Sequence, residues 1–232
     1  FMTQIVGVDV GGTFTDLVIF DTETESVKIS KVPSTPENQS FGVMSALESV
    51  GVSLEKLDSL IHGTTVTTNA LLERKVSRVG LITTRGFRDV LELGRRTRPK
   101  PYGMTGSFEC IIPRELRLEV RERVDCDGEV LEELNEADVR SAVKNLLESG
   151  AEGLVIHFLH SYKNDFHERR TEEIAREIWP NTFVTRGSAL VSEFREYERG
   201  TTAAINAAIQ PVLHRYIERL QEKLKEEGYS KD

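Results

Sequence analysis

The feature that most constrains this chain is a glycine turn near its start, Asp9-Val10-Gly11-Gly12-Thr13-Phe14-Thr15-Asp16, set between two apolar runs. Residues 4–10 alternate apolar with other side chains, and residues 15–20 form the second run. Alternation of this kind marks a half-buried strand, and so short a connection leaves room only for a tight turn, so the pair predicts a β-hairpin. A third β-rich segment, residues 26–32, follows an acidic turn at residues 21–25. The start of the chain therefore predicts a three-strand antiparallel meander.

A glycine-rich turn after a strand suggests phosphate, and three designs are worth comparing. A dinucleotide fold needs G-x-G-x-x-G between strand and helix, and Gly7, Gly11 and Gly12 do not have that spacing. A P-loop needs Gly-Lys-Ser/Thr at its end, and no lysine follows here. What remains is a strand–turn–strand in which paired glycines let backbone N–H groups approach an anion. In that arrangement Asp9, at the end of the first strand, would orient a hydrated Mg²⁺, which favours carboxylate and retained water beside phosphate. Gly11, Gly12 and Thr13 would offer backbone donors, and the Thr13 and Thr15 hydroxyls would supplement them. The competing explanation is an ordinary hairpin whose Gly-Gly supplies positive φ.

Beyond the meander the pattern changes. Pro33 and Pro36 break the third strand, and Phe41, Met44, Leu47 and Val50 have helical spacing. Short apolar strands near residues 59–62, 78–83, 153–159 and 182–185 alternate with helical segments near 66–75, 87–93, 135–149 and 165–178. This alternation predicts parallel α/β architecture. Asp127-Gly128 predicts a hairpin between residues 118–124 and 129–131, and Asn135 predicts a helix N-cap with Asp138 as a capping-box partner. Residues 196–227 read as one long helix interrupted only by Pro211. Its apolar stripe, including Ile205, Ile209, Leu213, Tyr216, Leu220 and Leu224, needs a packing partner, which a second domain would supply.

Bulk properties exclude several classes. The formal net charge of -8 gives no general affinity for nucleic acid or anionic lipid. No apolar run approaches the roughly 20 residues of a membrane span. The start lacks a basic stretch leading into an apolar core, so no secretory signal is expected, and Phe1 before Met2 reads as an expression scar. Cys110 and Cys126 are too few for a disulfide framework or zinc cage and fit a reducing cytoplasm.

D-V-G-G-T-F-T-D followed by a meander resembles the first phosphate loop of the actin-like ATPase (ribonuclease H-like) fold. The wider match resembles the hydantoinase A/5-oxoprolinase family, which includes ATP-using subunits of acetone-type carboxylases. The stretches that carry it are Ile61-His-Gly-Thr-Thr-Val-Thr-Thr-Asn-Ala-Leu-Leu-Glu-Arg74, Leu81-Ile-Thr-Thr-Arg-Gly-Phe-Arg-Asp89 and Val120-Arg-Glu-Arg-Val-Asp-Cys-Asp-Gly128. His167-Glu-Arg-Arg170 and Arg195-Glu-Tyr-Glu-Arg-Gly-Thr-Thr202 with Asn206 extend it. The resemblance implies a mixed-sheet α/β nucleotide-binding domain over residues 2–195, then a long helix, 196–228, leading towards a second lobe. It implies ATP and Mg²⁺ as cofactors and a cyclic amide as substrate, whose oxygen is phosphorylated before water opens the ring. Members of the family are much longer and carry a second Asp-x-Gly-Gly-Thr loop, which this chain lacks. The resemblance thus implies half an ATP site, inactive alone, completed by a second lobe or partner subunit in an oligomeric enzyme. The alternatives are the ATP-using subunit of a carboxylase, or a binding domain without turnover.

Other candidates carry less. Thr64 and Thr65 precede a helix, where they serve either as plain N-caps or as contacts to phosphate or substrate, and Asn69 lies one turn on. Arg95, Arg96, Arg98 and Lys100 occupy a proline-bearing loop, with Arg96 as the substrate candidate and a solvated basic loop as the alternative. His157, His160 and His167 have no ligand spacing for zinc. Glu198 and Arg199 read as a helix-surface ion pair in a hinge or interface segment.

Overall fold

The computed structural model describes residues 4–34, 39–52, 54, 57–95, 102 and 109–229, with backbone alone at 39–41. These residues form two compact units, the first from residues 1–75 with 212–232 and the second from residues 76–211.

The first unit opens with the expected meander: β1 (Gln4–Val10), β2 (Phe14–Asp21) and β3 (Ser26–Pro33), all antiparallel. α1 (Gln39–Ser49) follows, then β4 (Leu57–Thr64), which adds parallel to β1, giving a mixed sheet of order β3-β2-β1-β4. α2 (Val66–Leu72) continues from β4. Alternation in the sequence becomes alternation in burial. Val6, Val8, Val10, Leu17 and Ile19 face the core with Leu47 of α1, each fully buried Leu or Val stabilising by about 1.5–3 kcal/mol. The odd-numbered positions of β1 lie on the opposite face, and there Val18, Phe20, Val27, Ile29 and Ile61 remain exposed.

The second unit is built on β5 (Val79–Thr84), β6 (Arg117–Val120), β9 (Gly153–His157) and β10 (Val184–Arg186), a wholly parallel sheet of order β10-β9-β5-β6. Every residue of β5 and β9 is buried, as expected of parallel strands covered on both faces. The connecting helices are α3 (Val90–Leu93), α4 (Glu136–Glu148), α5 (Phe166–Arg176) and α6 (Gly187–Leu190). A small ribbon pairs β7 (Arg123–Val124) with β8 (Val130–Glu132).

Two expectations change here. Residues 118–124 are not one hairpin strand: the first part joins the parallel sheet as β6, and only Arg123 and Val124 pair across the Asp127-Gly128 turn. Asp125 organises that turn by accepting the N–H groups of Asp127 and Glu129, and Gly128 takes φ 94°. Asn135 caps α4 by accepting the Asp138 N–H, but the box does not close, because the Asp138 carboxylate binds Arg121 at 2.7 Å.

The final helix, α7 (Glu196–Glu226), runs unbroken through Pro211. A proline there removes the bond to Ala207 and crowds its carbonyl. Gly153 leaves the needed space, since a Cβ on it would stand 3.2 Å from that oxygen, and the Ala208 carbonyl accepts the Ser77 N–H instead. The two halves of α7 divide between the units: Ala203, Ala204, Ala207 and Ala208 join the second core, and Tyr216, Leu220 and Leu224 join the first. Tyr216, Leu220 and Leu224 of the apolar stripe thus pack within the first unit, while Leu213 stays exposed. No helix among the described residues is long and apolar enough to cross a membrane.

Candidate functional site

The turn between β1 and β2 is held by three bonds that leave its tip open. The Gly11 N–H donates to the Phe14 carbonyl at 3.0 Å, the Ser34 N–H donates to the Thr13 carbonyl at 2.9 Å, and the Ser34 hydroxyl donates to the Gly11 carbonyl at 2.9 Å. The Gly11 donor is therefore engaged inside the turn. The N–H groups of Gly12 and Thr13 bond to nothing among the described residues, and both residues are exposed. Neither glycine has the positive φ of an ordinary tight hairpin. What they supply is space: a Cβ on Gly11 would lie 3.0 Å from the Phe14 carbonyl oxygen, and one on Gly12 3.3 Å from Asn69 Nδ2.

Asp9 projects from the exposed face of β1. It is flanked across the sheet by Asp16 on β2 and by Gly63 on β4, where a Cβ would meet its Oδ1 at 3.4 Å. It makes no hydrogen bond or ion pair with a described residue. Asp16 differs, because Lys31 Nζ binds both of its carboxylate oxygens at 2.7 and 2.9 Å while standing 5.2 Å from the centre of the Phe14 ring. Like charges directly opposite one another destabilise a sheet, so Lys31 neutralises one carboxylate and leaves the other available.

The β4–α2 connection lies against this turn. The Thr65 N–H donates to the Val10 carbonyl at 3.3 Å, and Asn69 Nδ2 donates to the Thr65 hydroxyl at 3.3 Å. The Thr65 side chain does not cap α2; instead the Thr64 hydroxyl accepts the Val66 N–H at 3.1 Å. Asn69, held by Thr65, therefore walls the Gly12 side of the turn. Thr15 points the other way. It is fully buried on the core face, its hydroxyl 3.0 Å from that of Ser34, where it supports the turn from below. Arg96, Arg98 and Lys100 lie outside the described residues, and Arg95 is engaged by Glu198.

Three residues escaped the sequence reading. Ser34 has no motif to mark it. Tyr216 read only as part of an apolar stripe, yet its hydroxyl lies 2.7 Å from His62 Nε2, with the Thr64 side chain beside it. Burial lowers the pKa of His62 against the pull of the Asp9 carboxylate and the Val8 carbonyl, and burial raises that of Tyr216 to about 12. The two rings meet tilted, with centroids 5.6 Å apart. His62 itself belonged to a quoted motif, but only the fold shows that it turns inward.

The second unit holds the remaining motifs, and several of their polar side chains are buried. Arg199 is fully buried, donating to the carbonyls of Glu193 at 2.5 Å and Phe158 at 3.2 Å, with Glu196 at 3.4 Å. The expected surface pair with Glu198 does not form. Glu168 accepts the N–H groups of Phe158 and Ser188, each at 2.9 Å. His167 Nδ1 lies 2.9 Å from Glu122, which also binds the Thr84 hydroxyl, and that hydroxyl accepts the Leu159 N–H. His157 is wedged between Gly187 and Gly200, where added Cβ atoms would come within 2.9 and 2.8 Å of its ring. Burial, then the Arg199 charge, lowers its pKa to about 3. Among the described residues no three His, Cys, Asp or Glu side chains converge on a metal position, and Cys110 and Cys126 are unbridged.

A mixed α/β fold whose first hairpin presents an exposed carboxylate beside open backbone donors defines the actin-like class. Comparison with known proteins narrows it. The chain belongs to the hydantoinase/oxoprolinase N-terminal region family, whose model matches residues 5–179. It is 36% identical over 247 residues to the acetophenone carboxylase gamma subunit of Aromatoleum aromaticum, covering 97% of this chain and 33% of that protein. It is 34% identical over 234 residues to caprolactamase subunit alpha of Pseudomonas jessenii, covering 96% and 34%. The crystal structure of the ATP-dependent caprolactamase from that organism superposes with a TM-score of 0.86 at 31% identity, over 98% of this chain and 34% of the other. The chain thus spans about a third of the length of these relatives.

Proposed function

We propose that the Asp9–Asp16 turn is one phosphate-binding jaw of an ATP site in an ATP-dependent amidohydrolase acting on a cyclic amide. The observation that carries this reading is an exposed Asp9 beside the N–H groups of Gly12 and Thr13, all without a hydrogen-bond partner among the described residues. Those N–H groups would cradle phosphate oxygens, with the Thr13 hydroxyl beside them and Gly11 keeping the backbone close. Thr15 would act through Ser34, whose hydroxyl holds the Gly11 carbonyl. Asp9 suits Mg²⁺, a hard cation that keeps several waters and takes few protein carboxylates. Mg²⁺ when bound would offset charge on the phosphates. Thr65 and Asn69 would border the phosphate, with Thr64 holding their turn. Arg96 remains a proposed substrate contact.

The overall reaction moves the terminal phosphoryl group of ATP to the amide oxygen, leaving ADP. One water then attacks the carbonyl carbon and the C–N bond breaks, leaving an amine and an acyl phosphate, and a second water hydrolyses the acyl phosphate to a carboxylate and inorganic phosphate. Resonance makes an amide a poor electrophile, and phosphorylation converts its oxygen into a leaving group. The chain's own part is positioning and charge stabilisation. The second loop needed to close such a site would come from a second lobe or partner subunit, beyond the expected boundaries of domain 2–195 and helix 196–228. Cytoplasmic residence fits the free thiols.

A second reading, an ATP-using carboxylase subunit, is favoured by the 36% identity to a carboxylase gamma subunit. Calorimetric titration tests the shared part. Mg-ADP should bind the chain without phosphate release from Mg-ATP, and Asp9→Ala should weaken binding about tenfold, roughly 1.4 kcal/mol. Equal affinity in both proteins would remove Asp9 from the site, and turnover by the chain alone would refute the half-site reading. With the completing lobe present, ring opening of 5-oxoproline or a hydantoin separates the hydrolase from a carboxylase, which would consume ATP only with a ketone and bicarbonate.

A further inference from the structure

Tyr216 lies far along the chain from the glycine turn, yet a chain of short polar contacts joins them. Its hydroxyl meets His62 Nε2 at 2.7 Å, with the Thr64 side chain beside it. The same Thr64 oxygen accepts the first N–H of α2, from Val66, at 3.1 Å. The next residue, Thr65, is fastened to the last carbonyl of β1, that of Val10, by its N–H at 3.3 Å and its hydroxyl at 3.5 Å. Asn69 then reaches back to Thr65 and stands where a Cβ on Gly12 would touch it at 3.3 Å. Every group on this path belongs to the first unit.

The placement is unusual for a tyrosine that packing alone would explain. Leu220 and Leu224, on the same stripe of α7, serve the core with carbon only. Tyr216 is just as buried but brings a polar atom to the one spot where β4 ends in two polar side chains. A half-buried hydroxyl that bonds the His62 ring beside Thr64 restrains both side chains, because losing it would leave the ring nitrogen without its partner. Fixing Thr64 fixes the start of α2, and with it the Thr65–Asn69 wall of the glycine turn.

We propose that Tyr216 is a positioning residue of the phosphate-binding turn: through His62 and Thr64 it holds the β4–α2 connection so that Asn69 and Thr65 set the width of the cradle at Gly12. The proposal extends the nucleotide reading, and its test separates the two. Backbone amide resonances of Gly12, Thr13 and Asn69 are recorded in the whole chain without nucleotide, for the native protein, Tyr216→Phe, Thr64→Val and Leu220→Val. Phenylalanine keeps the ring and removes only the hydroxyl. Tyr216→Phe and Thr64→Val should shift the three resonances in the same direction, and the double variant should add little to either. Leu220→Val should lower Tm while leaving them in place. Mg-ADP affinity should fall at least fivefold in Tyr216→Phe and stay within twofold in Leu220→Val. Native resonance positions in both Tyr216→Phe and Thr64→Val would overturn the proposal. Absence of Mg-ADP binding in the native chain would sink the nucleotide reading alone, and the resonances would still decide the role of Tyr216. If Tyr216→Phe does not fold, Thr64→Val carries the test, with its resonances at native positions as the refuting result.

Discussion

The two units handle polar residues in opposite ways. In the first, polar groups of the glycine turn stand on an open sheet face: among the described residues Asp9 is exposed and unpaired, and two neighbouring N–H groups have no partner. In the second, several polar motif residues are buried at or near the carboxyl ends of parallel strands, and carbonyls, N–H groups or one another take up most of their polar atoms. Glu168, Glu122, His157, His167 and Arg199 are all buried to within a few per cent. The sheets explain the contrast. A mixed sheet with an antiparallel meander can leave one face bare, whereas a parallel sheet is covered on both. A motif in the first unit can meet a ligand directly, and one in the second acts as a strut.

If that contrast is right, substitutions should separate sharply by unit. The largest effect belongs to Arg199→Ala, which strands the Glu193 and Phe158 carbonyls and empties a buried volume. Removing one member of a buried charged network costs about 3–5 kcal/mol, so urea denaturation should show the second unit unfolding far earlier. A change below about 1 kcal/mol, the range of surface pairs, would return Arg199 to the surface role its sequence suggested.

A middle-sized effect should appear with pH. His157 is held neutral in the folded chain, with its pKa at about 3, and takes up a proton near its ordinary 6.5 when unfolded. Its contribution is therefore present above about 6.5 and drains away as pH falls towards 3. Between pH 7 and 5 this amounts to up to about 2 kcal/mol. Burial raises the Glu168 carboxyl, which acts in the opposite sense. The share of His157 is thus read as the difference between native protein and His157→Gln, whose acid limb should be flatter; identical limbs would count against the buried neutral imidazole.

The smallest effect should come from Asp9→Ala. Because Asp9 makes no hydrogen bond or ion pair among the described residues and opposes Asp16, its loss should leave stability within about 0.5 kcal/mol of native, even as nucleotide affinity falls. A large loss of stability would mean that Asp9 is a structural residue and that the contrast between the units is drawn too sharply.

Much of this was legible beforehand, for reasons that differ by element. Strong alternation made the meander readable to within a residue at each end, since one face of each strand had to be buried. Short buried strands such as β9 were readable as apolar runs between helical segments. The split of residues 117–124 into two strands was not, because local pattern cannot say which neighbour a strand will choose. Nor could the stripe on α7 reveal its partner: Tyr216, Leu220 and Leu224 fit any apolar surface, and only the chain's path brings the first sheet to them.

The glycine turn shows the same division within a few residues. Sequence alone determined that residues 9–16 form a strand–turn–strand with a carboxylate at its mouth, and that neither a dinucleotide motif nor a P-loop is present. Side-chain order along one strand decides which face each residue takes, so Asp9 was bound to oppose the core-facing Val8 and Val10. Tertiary structure decided which donors are free, that Thr15 turns inward to Ser34, and that Asn69 and Tyr216 frame the turn from distant segments. Those outcomes depend on contacts between residues far apart in the chain, and no local spacing encodes such contacts.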